Sequence, residues 1–309
     1  MQILIVGPGA MGCLFAARLK RAGGEVVLLD YLQDRAAKIN AQGIIVEGIT
    51  GEYRVEVPVV VGGLPEVPDT ALICVKSNNT GAACRTIKPW LKPETMVVTL
   101  QNGVGNLEMM EEVFGGKRVL GGVTAEGATL LGPGRIRHAG QGDTIIGPGG
   151  AADSPAEKIV AAFQRADFNA RSAENVHELI WGKLIINVGI NALTAITRLK
   201  NGRLGEMDST RKIMAKAVNE AVTVAKEKGI HLPYPEPLDR VLEVCRATSG
   251  NIASMLQDVL KERLTEVDFI NGAIVREGKA RGIPTPVNST LTYLVKAIQE
   301  SYQERVHSF

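Results

Sequence analysis

The sequence predicts an α/β chain: an N-terminal Rossmann-type, doubly wound parallel sheet over 1–173, followed by a second, all-helical C-terminal domain over 174–309. Three observations carry that expectation. An apolar, β-branched run, Ile3 to Val6, passes at once into GPGAMG and then into an alanine- and leucine-rich stretch ending near Arg21, which reads as strand, glycine turn and helix. Strand-like runs recur at Val26 to Leu29, Val57 to Val61, Ala71 to Val75, Met96 to Leu100 and Val119 to Val123, separated by helix-length or turn-rich segments. Past Ala173 the strand alternation stops and the remaining segments have helical periodicity.

A chain of 309 residues is long enough for two domains and for burial of about three quarters of its unfolded surface. Charged residues make up 22%, and Lys plus Arg (35) barely exceed Asp plus Glu (33), with no long basic block, which argues against nucleic acid and anionic membranes as partners. Cys13, Cys74, Cys84 and Cys245 form no C-x-x-C pair and have no histidine at ligand spacing, so reduced thiols in a cytoplasmic protein, and no metal site, are expected. The chain enters ILIV without a basic leader, and no run is expected to reach the 18 apolar residues of a membrane span.

In the first half, Gly7, Gly9 and Gly12 fit G-x-G-x-x-G, so Gly7, Pro8, Gly9, Ala10, Met11 and Gly12 are the candidate dinucleotide turn. The second strand ends in Asp30, near the spacing at which a carboxylate bonds the adenosine ribose hydroxyls and repels a 2′-phosphate. Taken alone, Asp30 points to NAD(H). Arg35 could turn toward a phosphate, but a solvated surface arginine is its simpler reading. Two further strand ends carry VKSNN, with Lys76, and LQNGVGN, with Asn102, and ligands of such sheets bind outside the carboxyl ends of the strands. The glycine-rich stretch 132–150 holds runs at Arg135 to His138 and Thr144 to Gly147 that could pair as a hairpin, with His138 a structural strand-edge residue without a carboxylate near it in sequence. Ser154 is the expected N-cap of a helix through Arg165, and FNARSA a last short strand.

The helical half opens with ELIWGKLIINVGIN, Glu178 to Asn191, apolar on all sides as in a helix enclosed by protein. Lys183, Asn187 and Asn191 interrupt it at i, i+4 and i+8, drifting only about 40° per step, so an ammonium and two amides share one direction. Burying such groups is costly unless partners are present, so this face is expected to line a polar cavity. Helices follow over Ser209 to Lys228, Pro235 to Ala247, Asn251 to Lys261, Glu266 to Arg281 and Val287 to Gln303. Ser254 and Asp258 form a polar i, i+4 pair, and TEVD, Thr265 to Asp268, reads as a capping box with Glu266 in the first helical turn.

With these motifs in view, the chain resembles the ketopantoate reductase family, the 2-dehydropantoate 2-reductases of pantothenate biosynthesis. The likeness spans nearly the whole chain through GPGAMG, VKSNN, LQNGVGN, WGKLIINVGINALTAI with the later Asn201 and Gly202, and NIASMLQDVLKERLTEVDFINGAIV. It implies an NADP(H)-dependent reductase of a small anionic 2-oxo acid in which Lys183 is the general acid and Glu266 serves the active site. It further implies that Asn187, Asn191, Asn201 and Ser254 hold substrate, with Asn102 and Lys76 beside nicotinamide and substrate. Members that use NADP often carry an arginine just after the second strand, where this chain has Asp30 and Tyr31, so NAD(H) stays open as the cofactor. Also open are another 2-oxo acid as substrate, an opine-type dehydrogenase on the same architecture, and a non-catalytic, NAD(P)H-responsive binding protein. A homodimer is left open as the assembly.

Overall fold

The computed structural model of the chain describes residues 1–148 and 156–304; the expected cap at Ser154 lies outside them. By its contacts the chain divides into two compact units, one of Met1–Gln101 with Asn106–Val176, the other of Asn102–Gly105 with the chain from His177 onward. A single boundary near Ala173 therefore misses the four-residue exchange after the fifth strand of the parallel sheet, Met96–Thr99.

The first unit runs β1 (Gln2–Val6), α1 (Ala10–Arg21), β2 (Glu25–Asp30), α2 (Gln33–Gln42), β3 (Ile44–Gly48), β4 (Tyr53–Val55), β5 (Val59–Val61), β6 (Thr70–Ile73), α3 (Thr80–Ile87), β7 (Met96–Thr99), α4 (Asn106–Phe114), β8 (Val119–Thr124), β9 (Gly127–Gly132), β10 (Arg135–Gly140), β11 (Thr144–Pro148), α5 (Ala156–Arg165) and β12 (Ala170–Ser172). Its main sheet has the order β12-β11-β8-β7-β6-β1-β2-β5. From β5 to β8 the pairs are parallel, in a register that places Ile3 opposite both Val26 and Thr70, and β11 then returns antiparallel along β8. Strands β6 and β7 are buried at every position, which is why their apolar runs are continuous rather than alternating. The winding reverses between β1 and β6, so the turn after β1 sits at the switch point where such sheets bind ligands.

The expected hairpin does not form. Arg135–Gly140 pairs antiparallel with Gly127–Gly132 and parallel with Ile44–Gly48, while Thr144–Pro148 joins the main sheet. The result is a second sheet, β4-β3-β10-β9, packed on the face of α1 turned away from the main sheet. Its strands at 44–48 and 53–55 went unread because each is short and the pairing of 44–48 to β10, which builds the sheet, spans about ninety residues, while 53–55 pairs only with 44–48. Flanked by sheets on both sides, α1 buries Leu14, Phe15, Ala16, Ala17 and Leu19 almost completely.

The second unit contains α6 (His177–Thr197), α7 (Asn201–Glu206), α8 (Asp208–Glu227), α9 (Pro237–Ala247), α10 (Ser254–Leu260), α11 (Asn271–Ala280) and α12 (Pro286–Glu300). Helix α6 is its axis, packed by α8, α9, α10 and α12. Side chains such as Leu184, Ile185 and Val188 are at most 1% exposed, each contributing about 1.5–3 kcal/mol of burial. Gly182 and Gly189 let neighbours close in, since a Cβ on either would stand 2.7 Å from Pro233 or Val241. By length and composition α6 is apolar enough to cross a membrane, contrary to the sequence expectation; two thirds of that window is buried inside the protein, which makes it a core helix.

The expected helix Glu266 to Arg281 is broken. A 3-10 turn over Val267–Phe269 precedes α11, so Glu266 stands before a single tight turn and not in the first turn of an α-helix. Thr265 Oγ1 accepts from the Val267 N–H at 3.2 Å, a local turn bond in place of the expected capping box, and Asp268 pairs instead with Lys296 at 3.3 Å. The dipole of a long helix therefore does not account for Glu266.

Candidate functional site

The glycine turn of the first unit has the shape a diphosphate needs. Gly7 has φ +106°, and a Cβ there would come within 2.9 Å of Val75, while one on Gly12 would stand 2.0 Å from the Gly7 carbonyl. Gly9 differs: its nearest neighbour would be the Cys74 carbonyl at 3.9 Å, so the missing side chain leaves open space at the start of α1. Gly9 is the N-cap there, the helix starts with Ala10 and Met11, and its first turn carries no acid. Early helical N–H groups without carbonyl partners and the positive end of the helix dipole favour an anion at this spot. Pro8 is buried and its carbonyl accepts from the Cys13 thiol at 3.4 Å, which fixes the turn from below.

At the end of β2, Asp30 is 3% exposed and heavily occupied. Its Oδ1 accepts from the N–H groups of Tyr31 (2.7 Å) and Leu32 (3.1 Å) and from Arg35 Nη2, and its Oδ2 accepts from Arg35 Nε at 2.6 Å. Arg35 is thus no solvated surface residue, and Asp30 is not a bare acceptor waiting for a ribose. The Asp30 bond raises the Arg35 pKa further.

Beyond β6, Lys76 is exposed at the head of a 3-10 turn, Ser77–Asn79. A polar chain that the sequence reading left unassigned ties the ends of β6 and β7 together. Gln101 Nε2 donates to the Val75 carbonyl (2.6 Å) and to Thr80 Oγ1 (2.8 Å), Thr80 donates to Asn106 Oδ1 (2.9 Å), and Asn106 Nδ2 donates to Ser77 Oγ (3.1 Å). All four side chains lie in or beside VKSNN and LQNGVGN, so the motifs pointed to the place but not to the framework.

In the second unit, Lys183, Asn187 and Asn191 follow one another along α6, the first two half-buried and Asn191 5% exposed. Burial pulls the Lys183 ammonium down from 10.5 to about 8, against the opposing pull of the Glu266 carboxylate, which favours the charged form. Glu266 is itself 8% exposed. Asn102 belongs to this unit. Val104 N–H donates to the Phe269 carbonyl at 3.0 Å, and Gly103, at φ +88°, lies so close that a Cβ would meet that carbonyl at 2.3 Å. The Asn102 backbone is thereby fastened to the turn that follows Glu266.

Asn201 opens α7, 7% exposed; its Nδ2 donates to Thr248 Oγ1 at 2.9 Å and its Oδ1 is buried without a hydrogen-bond partner. A buried orphan acceptor is uncommon in native proteins and fits a position completed by a ligand or water. Ser254 is exposed at the start of α10, with Asp258 buried one turn further on. A second framework that escaped the sequence reading supports α6: Asn271 Nδ2 donates to the Val188 carbonyl (3.3 Å) and to Asn288 Oδ1 (2.9 Å), and Glu220 accepts from the Val287 and Asn288 N–H groups.

Chemically, the first unit offers an anion cradle and a charge pair near it in sequence, the second a lysine whose pKa burial lowers to about 8 while the Glu266 carboxylate favours its charged form. Among the described residues no group of His, Cys, Asp or Glu is placed to hold a metal ion. A cavity of about 540 Å³ bordered by Met1, Asp69, Lys92 and Lys158 lies at the amino ends of β6 and β7 and contains none of these candidates.

Residues 3–151 match the ketopantoate reductase PanE/ApbA family, and residues 175–299 match the C-terminal part of the same family. A 2-dehydropantoate 2-reductase of Halobacterium salinarum is 35% identical over 304 residues, covering 97% of this chain and 99% of that protein. A PanE/ApbA family ketopantoate reductase from Ralstonia eutropha JMP134 superposes with a TM-score of 0.89 at 32% identity, over 98% of this chain and 100% of that one. A D-mandelate dehydrogenase solved with NADH and anilino(oxo)acetate superposes with a TM-score of 0.93 at 31% identity, again over 98% and 100%.

Proposed function

This chain belongs to the ketopantoate reductase family, and on that premise we propose that it is a 2-dehydropantoate 2-reductase, converting ketopantoate to pantoate. The open space over Gly9, the constrained Gly7 and Gly12 and the acid-free start of α1 fit a nicotinamide dinucleotide. When bound, NAD(P)H supplies the hydride for the ketone carbon.

The observation that carries the chemical reading is Lys183, an ammonium brought to about 8 and opposed by Glu266. A donor of that acidity is still protonated at neutral pH and gives up its proton readily, so Lys183 protonates the ketone oxygen and stabilises the charge that develops on it. Asn187 and Asn191, one and two helical turns along the same face, offer amide donors to the substrate carboxylate. Glu266 accepts from the substrate hydroxyl, a bond that an analogue lacking the hydroxyl leaves unmade. Asn102, Asn201 and Ser254 complete the substrate contacts, and Lys76 assists the dinucleotide. Four free cysteines suit a reducing, cytoplasmic setting.

A panel of initial rates tests the reading: ketopantoate, phenylglyoxylate, and pyruvate with and without an amino acid, each with NADPH and NADH. Ketopantoate should be turned over with the highest kcat/KM. The likeness to a mandelate dehydrogenase gives one specific competitor, and a higher kcat/KM for phenylglyoxylate would move the substrate to an aryl 2-oxo acid. Reductive amination of pyruvate would mark an opine-type enzyme, and binding without turnover of any oxo acid a non-catalytic protein.

A further inference from the structure

We propose that Arg35, and not Asp30, sets the dinucleotide preference of this chain, by holding the Asp30 carboxylate in a two-pronged pair and presenting its own charge to the adenosine ribose. The inference rests on the dinucleotide reading of the glycine turn. A ribose diol selects NAD(H) only when a carboxylate at the end of the second strand has lone pairs to accept with. Here those of Asp30 meet four donors, two of them backbone N–H groups fixed by the turn itself and two from the Arg35 fork. The Asp30 side chain is fully buried, whereas 28% of the Arg35 side chain is exposed, so the positive partner is the one a ligand reaches.

The pair cancels the repulsion that an isolated carboxylate would exert on a 2′-phosphate. Arg35 lies in the first turns of α2, held by Asp30 on one side and with the Tyr31 ring 5.1 Å from its guanidinium carbon on another. Tyr31 is 73% exposed, leaving its ring free to shift or to stack. A planar guanidinium suits phosphate recognition, and the residue just after the strand need not be arginine when one arrives four positions later from the helix.

The test is equilibrium binding of NADPH and NADH, followed by nicotinamide fluorescence without any oxo acid, on wild type, Arg35→Ala and Asp30→Asn. The wild type should bind NADPH at least as tightly as NADH. Arg35→Ala uncovers the carboxylate and should shift the NADPH to NADH affinity ratio more than tenfold toward NADH, while Asp30→Asn, which releases the guanidinium, should shift it toward NADPH. Should Arg35→Ala be too unstable to titrate, Arg35→Lys keeps the charge without the fork and should move the ratio in the same direction by less. A ratio within twofold of wild type in the arginine variants, or a loss of NADH binding in Asp30→Asn alone, would overturn the assignment. Because no substrate is present, these outcomes stand apart from the oxo-acid panel; failure of the wild type to bind either dinucleotide would instead overturn the reading of the glycine turn.

Discussion

Each unit buries an ionisable base against a carboxylate, and the two bases are treated differently. In the first unit His138 is 0% exposed, its Nε2 2.6 Å from Glu126 Oε2 and its Nδ1 3.0 Å from Thr50 Oγ1, with Arg18 reaching the same carboxylate oxygen at 3.7 Å. Both ring nitrogens are engaged, and the cluster ties α1 to the second sheet. In the second unit Lys183 keeps partial access to solvent, and its surroundings disfavour its charge in spite of Glu266. A base whose partners close around it belongs to the fold, whereas a base held in an unfavourable charge state that solvent can still reach is available to a reaction.

The widest separation between the two should appear in turnover. Lys183→Ala is expected to lower kcat by about 10² to 10⁴ while leaving the dinucleotide Kd unchanged, because a positioned acid contributes that much. His138→Ala should leave the kcat of the folded protein near wild type. Equal losses of kcat in both variants would abolish the distinction, and a steep rise in dinucleotide Kd for Lys183→Ala would move that side chain to the cofactor.

Stability should reverse the order. Glu126→Ala strands Arg18 and His138 in the interior, and removing one partner of a buried charge pair costs about 3–5 kcal/mol. Arg18 Nη1 already lacks a hydrogen-bond partner, and without Glu126 the guanidinium keeps only its Nε bond to the Ala166 carbonyl at 3.0 Å and its contact with the Phe168 ring. Urea unfolding of Glu126→Ala with a midpoint unchanged from wild type would show that the cluster contributes nothing.

This contrast also explains what the sequence could and could not disclose. Lys183, Asn187 and Asn191 are legible because a helix converts a spacing of four into a shared face, and the glycine turn is legible because strand, turn and helix are contiguous. His138 looked like an edge residue without a carboxylate because its partners come from elsewhere in the chain: Glu126 lies 12 residues before it, Thr50 lies 88 away, and β3 flanks it from the far side of the second sheet. The Gln101 and Asn271 frameworks and the Asp30 to Arg35 pair are side-chain geometry, which spacing alone does not fix. The break at Ile270 was hidden for a similar reason, since EVDFINGAIV keeps helical periodicity through a turn that the backbone does not follow.

Glu266→Gln sharpens the comparison from the carboxylate side. Exchanging the charged acceptor for a neutral amide should raise KM for ketopantoate by about tenfold, a 1.4 kcal/mol interaction, and leave KM for an oxo acid without a hydroxyl almost unchanged. The same variant withdraws the charge that favours the Lys183 ammonium, so the fall of kcat with rising pH should begin at lower pH than in wild type. Equal KM changes for both substrates with an unmoved pH profile would leave Glu266 a structural residue.

The smallest effect is the most discriminating, because it asks whether the charge on Lys183 is a burden to the fold. An unfolded lysine titrates near 10.5 and Lys183 near 8, so at pH 7 both states are protonated and folding carries the cost of burying the ammonium. Between pH 8 and 10.5 the folded protein has lost that proton while the unfolded chain still binds it, and stability contributed by this site therefore rises with pH across the window. Lys183→Met, which keeps the length and removes the charge, should be more stable than wild type at pH 7 by on the order of 1–2 kcal/mol, after allowance for the partial solvent access of the side chain. Toward pH 10 the gain should shrink to the residual packing difference. Urea titrations of both proteins at pH 7, 8, 9 and 10 measure it: a gain that fades with pH identifies a charge kept for chemistry against the interest of the fold. A methionine variant less stable than wild type at pH 7 would mean that Lys183, like His138, is held by partners that the fold needs.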